Sequence, residues 1–122
     1  MPVAPSDLRK IPLLSNITDE HLAQLVAACD TRTAESGEVL FEAGSVSDRF
    51  LILTSGEVSL REGGEERFRL KPIAPVGELG AIARLERRTT AVAASKVELL
   101  DIAVKDLMQF FEDHGDVAFP FH

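Results

Sequence analysis

Short apolar segments separated by glycine or proline fill the middle of the chain, from residue 31 to residue 103. The segments are rich in β-branched and aromatic residues, and their near-regular spacing with turn signals is typical of an antiparallel sandwich or small barrel rather than a parallel α/β sheet. Gly63-Gly64, between charged strand ends, predicts a hairpin turn. The predicted strands are Thr31–Ala34, Val39–Phe41, Phe50–Thr54, Glu57–Arg61, Arg67–Leu70, Thr90–Ala94 and Glu98–Ala103, with breaks at Gly37, Gly44, Gly56, Gly63-Gly64, Pro72 and Pro75.

Helices are predicted on both sides of this β region. Thr18 has the character of an N-cap, and Leu22, Leu25, Val26 and Cys29 recur at helical spacing up to about Asp30. Near the other end Leu107, Phe110 and Phe111 share one helical face, and Gly115 is a stop signal. A helical turn at Asp7–Lys10 and a short helix at Gly80–Leu85 complete the pattern. We therefore expect one domain over 1–122, with an N-terminal helical part at about 5–30, a β region at about 31–103 and a C-terminal helix at about 104–114.

Composition narrows the classes of function. The 122 residues carry a net charge of -7 with a pI near 4.9, which disfavours direct binding to nucleic acid or to an anionic membrane. No apolar run approaches the ~20 residues of a membrane span, and the N-terminus lacks the order of a secretory signal. The lone cysteine, Cys29, forms no internal disulfide and fits a core position. We expect a cytoplasmic protein.

Residues for enzyme chemistry are scarce. The three histidines stand at 21, 114 and 122, and no predicted strand carries one, so a metal-binding jelly roll is disfavoured. The chain has neither a GxxxxGK[ST] nor a GxGxxG motif. These observations favour a protein that is not an enzyme and has neither a metal nor a resident cofactor.

The segment VGELGAIARLERRTTAVAA, residues 76–94, is the candidate site. Gly77 permits a tight turn or a close approach to a ligand, and Glu78 offers two acceptor oxygens to a ribose hydroxyl. A helix that starts at Leu79 would favour an anion at its N-terminus. Ten residues after Glu78, Arg88 offers a planar fork for phosphate oxygens, and Thr89 and Thr90 add hydroxyl and backbone donors. A surface ion pair between the acidic and basic residues is the alternative interpretation.

The order of these features resembles the cyclic nucleotide-binding domain of catabolite-activator-type regulators, kinase regulatory subunits and gated channels. The resemblance runs from about Leu8 to His114. IPLLSNITDEHLAQLVAAC is similar to the helical entry of that family, and GEVLFEAGSVSDRFLILTSGEVSL is similar to its first β signature. VGELG…RRTTAVA, residues 76–93, is similar to its phosphate-binding cassette, and we call these residues the cassette.

The resemblance implies a jelly-roll-like β-roll with flanking helices that holds cAMP or cGMP. Glu78 would accept from the ribose 2′-hydroxyl, and Arg88 would neutralise the cyclic phosphate. Gly77, Leu79 and Thr90 would line the phosphate through backbone groups. Thr89 would reach a syn purine, with a slight preference for cGMP. The expected partners are the nucleotide and an effector domain or protein.

The chain departs from the family pattern in three places within or beside the cassette. Ile73-Ala74 replaces the usual Gly-Asp turn, Val76 replaces a common Phe, and Thr90 replaces a small Ala. After the last helix only DVAFPFH follows, without the usual capping helix. We therefore expect either a stand-alone sensor or the N-terminal domain of a larger protein. A degenerate β-roll that serves as a protein-interaction or scaffolding module is the competing hypothesis.

Overall fold

Two four-stranded antiparallel sheets form the body of the protein. The computed structural model describes residues 4–46, 48–77 and 87–113. One sheet has the strand order β1-β8-β3-β6 and the other the order β2-β7-β4-β5. The strands are β1 (Asp30–Ala34), β2 (Val39–Phe41), β3 (Arg49–Ser55), β4 (Val58–Glu62), β5 (Glu65–Leu70), β6 (Ala74–Val76), β7 (Thr90–Ala93) and β8 (Val97–Ala103).

A helical layer covers the first of these sheets. It consists of two 3-10 helices, Pro5–Lys10 and Pro12–Leu14, then α1 (Asp19–Ala28), and α2 (Val104–Asp113) at the other end of the chain. The Thr18 side chain accepts a hydrogen bond from the backbone N–H of His21 at 3.3 Å, so the predicted N-cap of α1 is confirmed. Among the described residues no helix has the length and apolar character needed to cross a membrane.

The apolar run of β3 divides the core into two clusters. Because successive side chains of a strand point to opposite faces, Phe50 and Ile52 pack against the helical layer while Leu51 and Leu53 pack between the sheets. On α2 the buried residues include Leu107, Phe110 and Phe111, which confirms the predicted apolar face. A strand buried on both faces explains why residues 50–53 are uninterruptedly apolar.

All seven predicted strands are present, with ends within two residues of the prediction. The interpretation of Pro75 as a break was wrong, because Ala74–Val76 forms β6 and pairs with β3 through Leu51–Val76, Ile52–Pro75 and Leu53–Ala74. β6 is an edge strand of its sheet. An edge strand pairs on one side alone, so it tolerates a residue without an N–H.

The glycine turns agree with the sequence. Gly63 and Gly64 join β4 to β5 with φ values of 61° and 84°, the conformation of a two-residue hairpin turn. Gly37, Gly44 and Gly56 also have positive φ. The predicted helix at Gly80–Leu85 and the stop signal at Gly115 lie outside the described residues.

Cys29 is half-buried against the helical core, and its surroundings should suppress its reactivity. Burial, followed by the charges of Asp101 and Asp30, raises the pKa of this thiol from 9.0 to about 11. At pH 8 we expect iodoacetamide to modify the folded protein about 100-fold more slowly than the urea-unfolded chain, because only the thiolate reacts. Because the pKa of the Cys29 thiol is higher in the folded protein than in the unfolded chain, its contribution to the free energy of unfolding is fully present below pH 9. This contribution is lost as the pH rises toward 11. Equal rates for folded and unfolded protein would contradict this prediction.

Candidate functional site

The two described ends of the cassette meet where β6 ends and β7 approaches. Gly77 directly follows β6, and Arg87 stands three residues before β7. The Arg87 guanidinium donates from Nη1 to the carbonyl oxygens of Gly77 at 3.0 Å and Val76 at 3.5 Å. Residues ten positions apart in the sequence are thereby in direct contact.

Arg87 is buried, with 7% of its surface exposed. Its Nη2 donates to the carbonyl oxygen of Arg49 at 2.8 Å, and its guanidinium carbon lies 3.9 Å from the centre of the Phe41 ring. Burial lowers the pKa of this guanidinium, and the charge of Asp48 partly opposes that shift. An arginine retains its proton under such conditions, so Arg87 carries a buried positive charge within the cassette.

The backbone of Arg87 is also fixed. Its N–H donates to the carbonyl of Ser45, and its carbonyl accepts from the N–H of Gly44, both at 2.8 Å. Gly44 has a φ of 89°, so the turn that carries these two groups uses a conformation that glycine adopts readily. The turn after β2 therefore fixes the backbone of the cassette at Arg87.

The next three residues differ in exposure. Arg88 is exposed, whereas Thr89 and Thr90 are half-buried. The Thr90 hydroxyl oxygen accepts a hydrogen bond from the backbone N–H of Ala43 at 3.0 Å. A threonine hydroxyl that accepts one bond still has its own proton to donate. Thr90, a departure from the family pattern, thus has a structural contact of its own.

Gly77 has a φ of 74°, in the left-handed region that favours glycine. A Cβ atom added here would lie 2.5 Å from Arg87 Nη1 and 3.2 Å from Phe41 Cζ. In this structure the group closest to Gly77 is the Arg87 guanidinium, and the predicted close approach to a ligand stays a prediction. Val76, another departure from the family pattern, is fully buried. Glu78 and Leu79 lie outside the described residues, as does any contact between Glu78 and Arg88.

Arg87 was not among the residues predicted for the site. In β7 the residues Ala91 and Ala93 are buried, while Thr90 and Val92 are more exposed. Residues 87–89 precede this strand, and there Arg87 is buried whereas Arg88 is exposed. The two adjacent arginines therefore have different environments.

The two antiparallel sheets and the flanking helices define a β-roll domain. The model of the cyclic nucleotide-binding domain matches residues 31–114, and the chain belongs to this family. That match covers the whole β region and both described ends of the cassette.

Two solved structures and one curated relative illustrate the similarity. The N-terminal domain of a transcriptional regulator from Streptomyces coelicolor A3(2) has a TM-score of 0.82 and 31% identity, over 91% of this chain and 81% of that chain. The catabolite activator protein of Thermus thermophilus has a TM-score of 0.76 and 26% identity, over 87% of this chain and 52% of that one. A cyclic nucleotide-gated potassium channel of Mesorhizobium japonicum is 28% identical over 108 residues, 88% of this chain.

The chain spans 30% of the length of that channel, and 28% and 18% of two further curated relatives. Within the described part of the chain, no group of three or more His, Cys, Asp or Glu side chains is placed to hold a metal ion.

Proposed function

We propose that this domain is a non-enzymatic sensor that binds cAMP or cGMP at the cassette. The observation that supports this function most directly is the contact between Arg87 and Gly77, which joins the two ends of the cassette. Arg88 directly follows Arg87 in the sequence, and Glu78 directly follows Gly77. A cyclic nucleotide requires two such groups close together, a carboxylate for its ribose and a cation for its phosphate.

In this proposal Glu78 accepts from the ribose 2′-hydroxyl and Arg88 pairs with the cyclic phosphate. Backbone groups of Gly77, Leu79 and Thr90 surround the phosphate, and Thr89 contacts the base. A charge-assisted hydrogen bond contributes about 1.5–3 kcal/mol, so a few of them support micromolar affinity. Neither the choice of ligand nor these roles depends on a metal or another cofactor.

Local charge explains how an acidic domain attracts an anion. The chain has a net charge of -7, which repels a phosphate at long range. Arg88 is exposed, and the positive charge of the neighbouring Arg87 is held in place below the surface. Arg87 and Arg88 are adjacent cations whose attraction for a phosphate acts within the Debye length of about 8 Å at physiological salt, and the charge of Asp48 acts on Arg87 in the opposite sense.

The output of such a sensor would be a shift in its helices. The apolar face of α2 packs on the same core cluster as Phe50 and Ile52 of β3. A ligand moves a helix only if it binds one helix position more tightly than the other. We propose an effector domain or partner protein that responds to this shift, by analogy with the gated channel among the relatives.

Calorimetric titration with cAMP and cGMP tests this function. We expect micromolar or tighter binding by the unaltered chain, and a loss of about 10- to 100-fold in affinity for both Arg88→Ala and Glu78→Ala. The ratio of the two nucleotide affinities would identify the preferred ligand.

Arg67→Ala is a suitable control, because Arg67 is an exposed arginine on β5 and its ion pair is with Glu62. This variant should bind like the unaltered chain. No heat with either nucleotide, from protein shown to be folded by circular dichroism, would refute the sensor function. It would favour the interaction module instead.

A further inference from the structure

We infer that Arg87 is a positioning residue, which sets the geometry of the cassette so that the neighbouring Arg88 meets the phosphate. This inference rests on the proposed function. The side chain of Arg87 holds the beginning of the cassette through Gly77, while its backbone is held by the turn at Gly44 and Ser45. One residue therefore fixes both described ends.

The third side-chain contact connects the cassette to a rigid part of the fold. Nη2 of Arg87 donates to the carbonyl of Arg49, the first residue of β3. The Arg49 side chain is itself paired with Asp101 of β8 at 2.8 Å and with Asp30 of β1 at 3.6 Å. Arg87 therefore connects the cassette to β3, and Arg49 connects β3 to the neighbouring strands β8 and β1.

Only an arginine fits these contacts. Its planar fork presents several N–H groups in fixed directions, and its flat face stacks on an aromatic ring. Arg87 uses both properties, since it reaches three carbonyl oxygens and lies over Phe41. A lysine at this position keeps the charge but presents a single ammonium, which cannot maintain this set of contacts.

The hydrogen bonds found for Arg87 within the described residues all go to neutral carbonyls. Its charge is therefore not cancelled by a bonded carboxylate among those residues. A purely electrostatic role and a positioning role make different predictions for lysine, which preserves the charge alone.

The experiment compares Arg87→Lys and Arg87→Met in two measurements. In calorimetric titration with cAMP and cGMP, positioning predicts that both variants lose about tenfold or more in affinity. If Arg87→Lys binds as well as the unaltered chain, the positioning role is overturned. Arg69→Lys is the matched control, since Arg69 is an exposed arginine on β5 paired with Glu66 and Glu57. It should stay within about twofold of the unaltered chain.

A stability control separates positioning from general destabilisation. Ile11→Val removes one methylene from the helical core cluster, between the two N-terminal 3-10 helices and in no element that contacts Arg87. If it lowers both the melting temperature and the affinity as much as Arg87→Lys does, the positioning role is overturned. We expect its affinity to be unchanged.

Amide hydrogen exchange in the ligand-free protein provides a readout that does not need the nucleotide. Arg87→Met should speed exchange at the amides of Gly44 and Arg87 about tenfold or more relative to those of α1, because the side chain no longer holds the segment on which their hydrogen bonds depend. Unchanged exchange would overturn the inference even if nucleotide binds. If exchange becomes faster in Arg87→Met but the unaltered chain binds no nucleotide, the proposed function is refuted. The structural role of Arg87 in holding the two ends of the cassette is then still supported.

Discussion

Gly56→Ala is expected to remove a large share of the stability of this domain. Gly56 has a φ of 86°, and an added Cβ would overlap the carbonyl oxygen of Lys96. The left-handed conformation costs a residue with a Cβ about 1–2 kcal/mol, and overpacking adds about 1–3 kcal/mol. The sum of about 2–5 kcal/mol is a large share of the 5–15 kcal/mol typical of a domain.

The neighbouring backbone has little freedom to relieve this overlap. The turn at Gly56 is tied to the turn before β8, because the N–H of Glu57 donates to Ser95 Oγ at 3.1 Å and the carbonyl of Glu57 accepts from Ala94 at 2.9 Å. Movement of Lys96 away from the new methyl group would strain these bonds. The cost should therefore lie toward the upper end of the range.

Gly37→Ala is the matched control for this prediction. Gly37 has a similar φ of 91°, but no atom lies within 4 Å of an added Cβ. It should therefore show only the conformational cost of about 1–2 kcal/mol. Urea unfolding followed by circular dichroism measures both variants. Equal losses of unfolding free energy for the two would show that the overlap at Lys96 is relieved at no cost.

The β region was predictable because its signals are local. Gly37, Gly44 and Gly56 mark turns that need positive φ, and the segments between them have a composition that favours strands. The apolar run at residues 50–53 needed no partner to be recognised as a buried strand. Such features depend on the conformational preferences of the residues themselves, which can be inferred from the local sequence.

The strand β6 was not predictable by the same rules. Pro75 is a strong break signal in isolation, and only the pairing of β6 with β3 at the sheet edge makes it acceptable. Whether a strand lies at the edge of a sheet depends on the order of the strands in that sheet. The residues 74–76 by themselves do not indicate this order.

The candidate site was predictable in part. Gly77 was identified by its place in the cassette, and its positive φ agrees with the expected tight turn. The roles of Glu78 and Arg88 stay predictions. Arg87 was overlooked because arginines are mostly exposed, and its burial depends on carbonyl groups from β3 and β6 that are distant in sequence.

Gly77→Ala is the second substitution with a large expected effect, and it should impair both stability and ligand binding. The φ of 74° costs about 1–2 kcal/mol for alanine. The new methyl group would also lie 2.5 Å from Arg87 Nη1 and displace it from the Gly77 carbonyl, at about 1.5–3 kcal/mol for a charged hydrogen bond. We expect a total loss of about 2.5–5 kcal/mol in unfolding free energy, measured by urea unfolding.

A double-mutant cycle with Arg87→Ala isolates the contact between the two residues. Once the guanidinium is absent, the added methyl group at position 77 no longer meets Nη1, so Gly77→Ala should then cost only the conformational part, similar to Gly37→Ala. The interaction energy should be about 1.5–3 kcal/mol, the value of the bond that each single variant removes. An interaction energy near zero would mean that Arg87 swings aside freely and that the two ends of the cassette are held by their backbones alone. In the expected case Gly77→Ala should weaken nucleotide binding as much as Arg87→Lys, because both release the same link between β6 and the residues that precede β7.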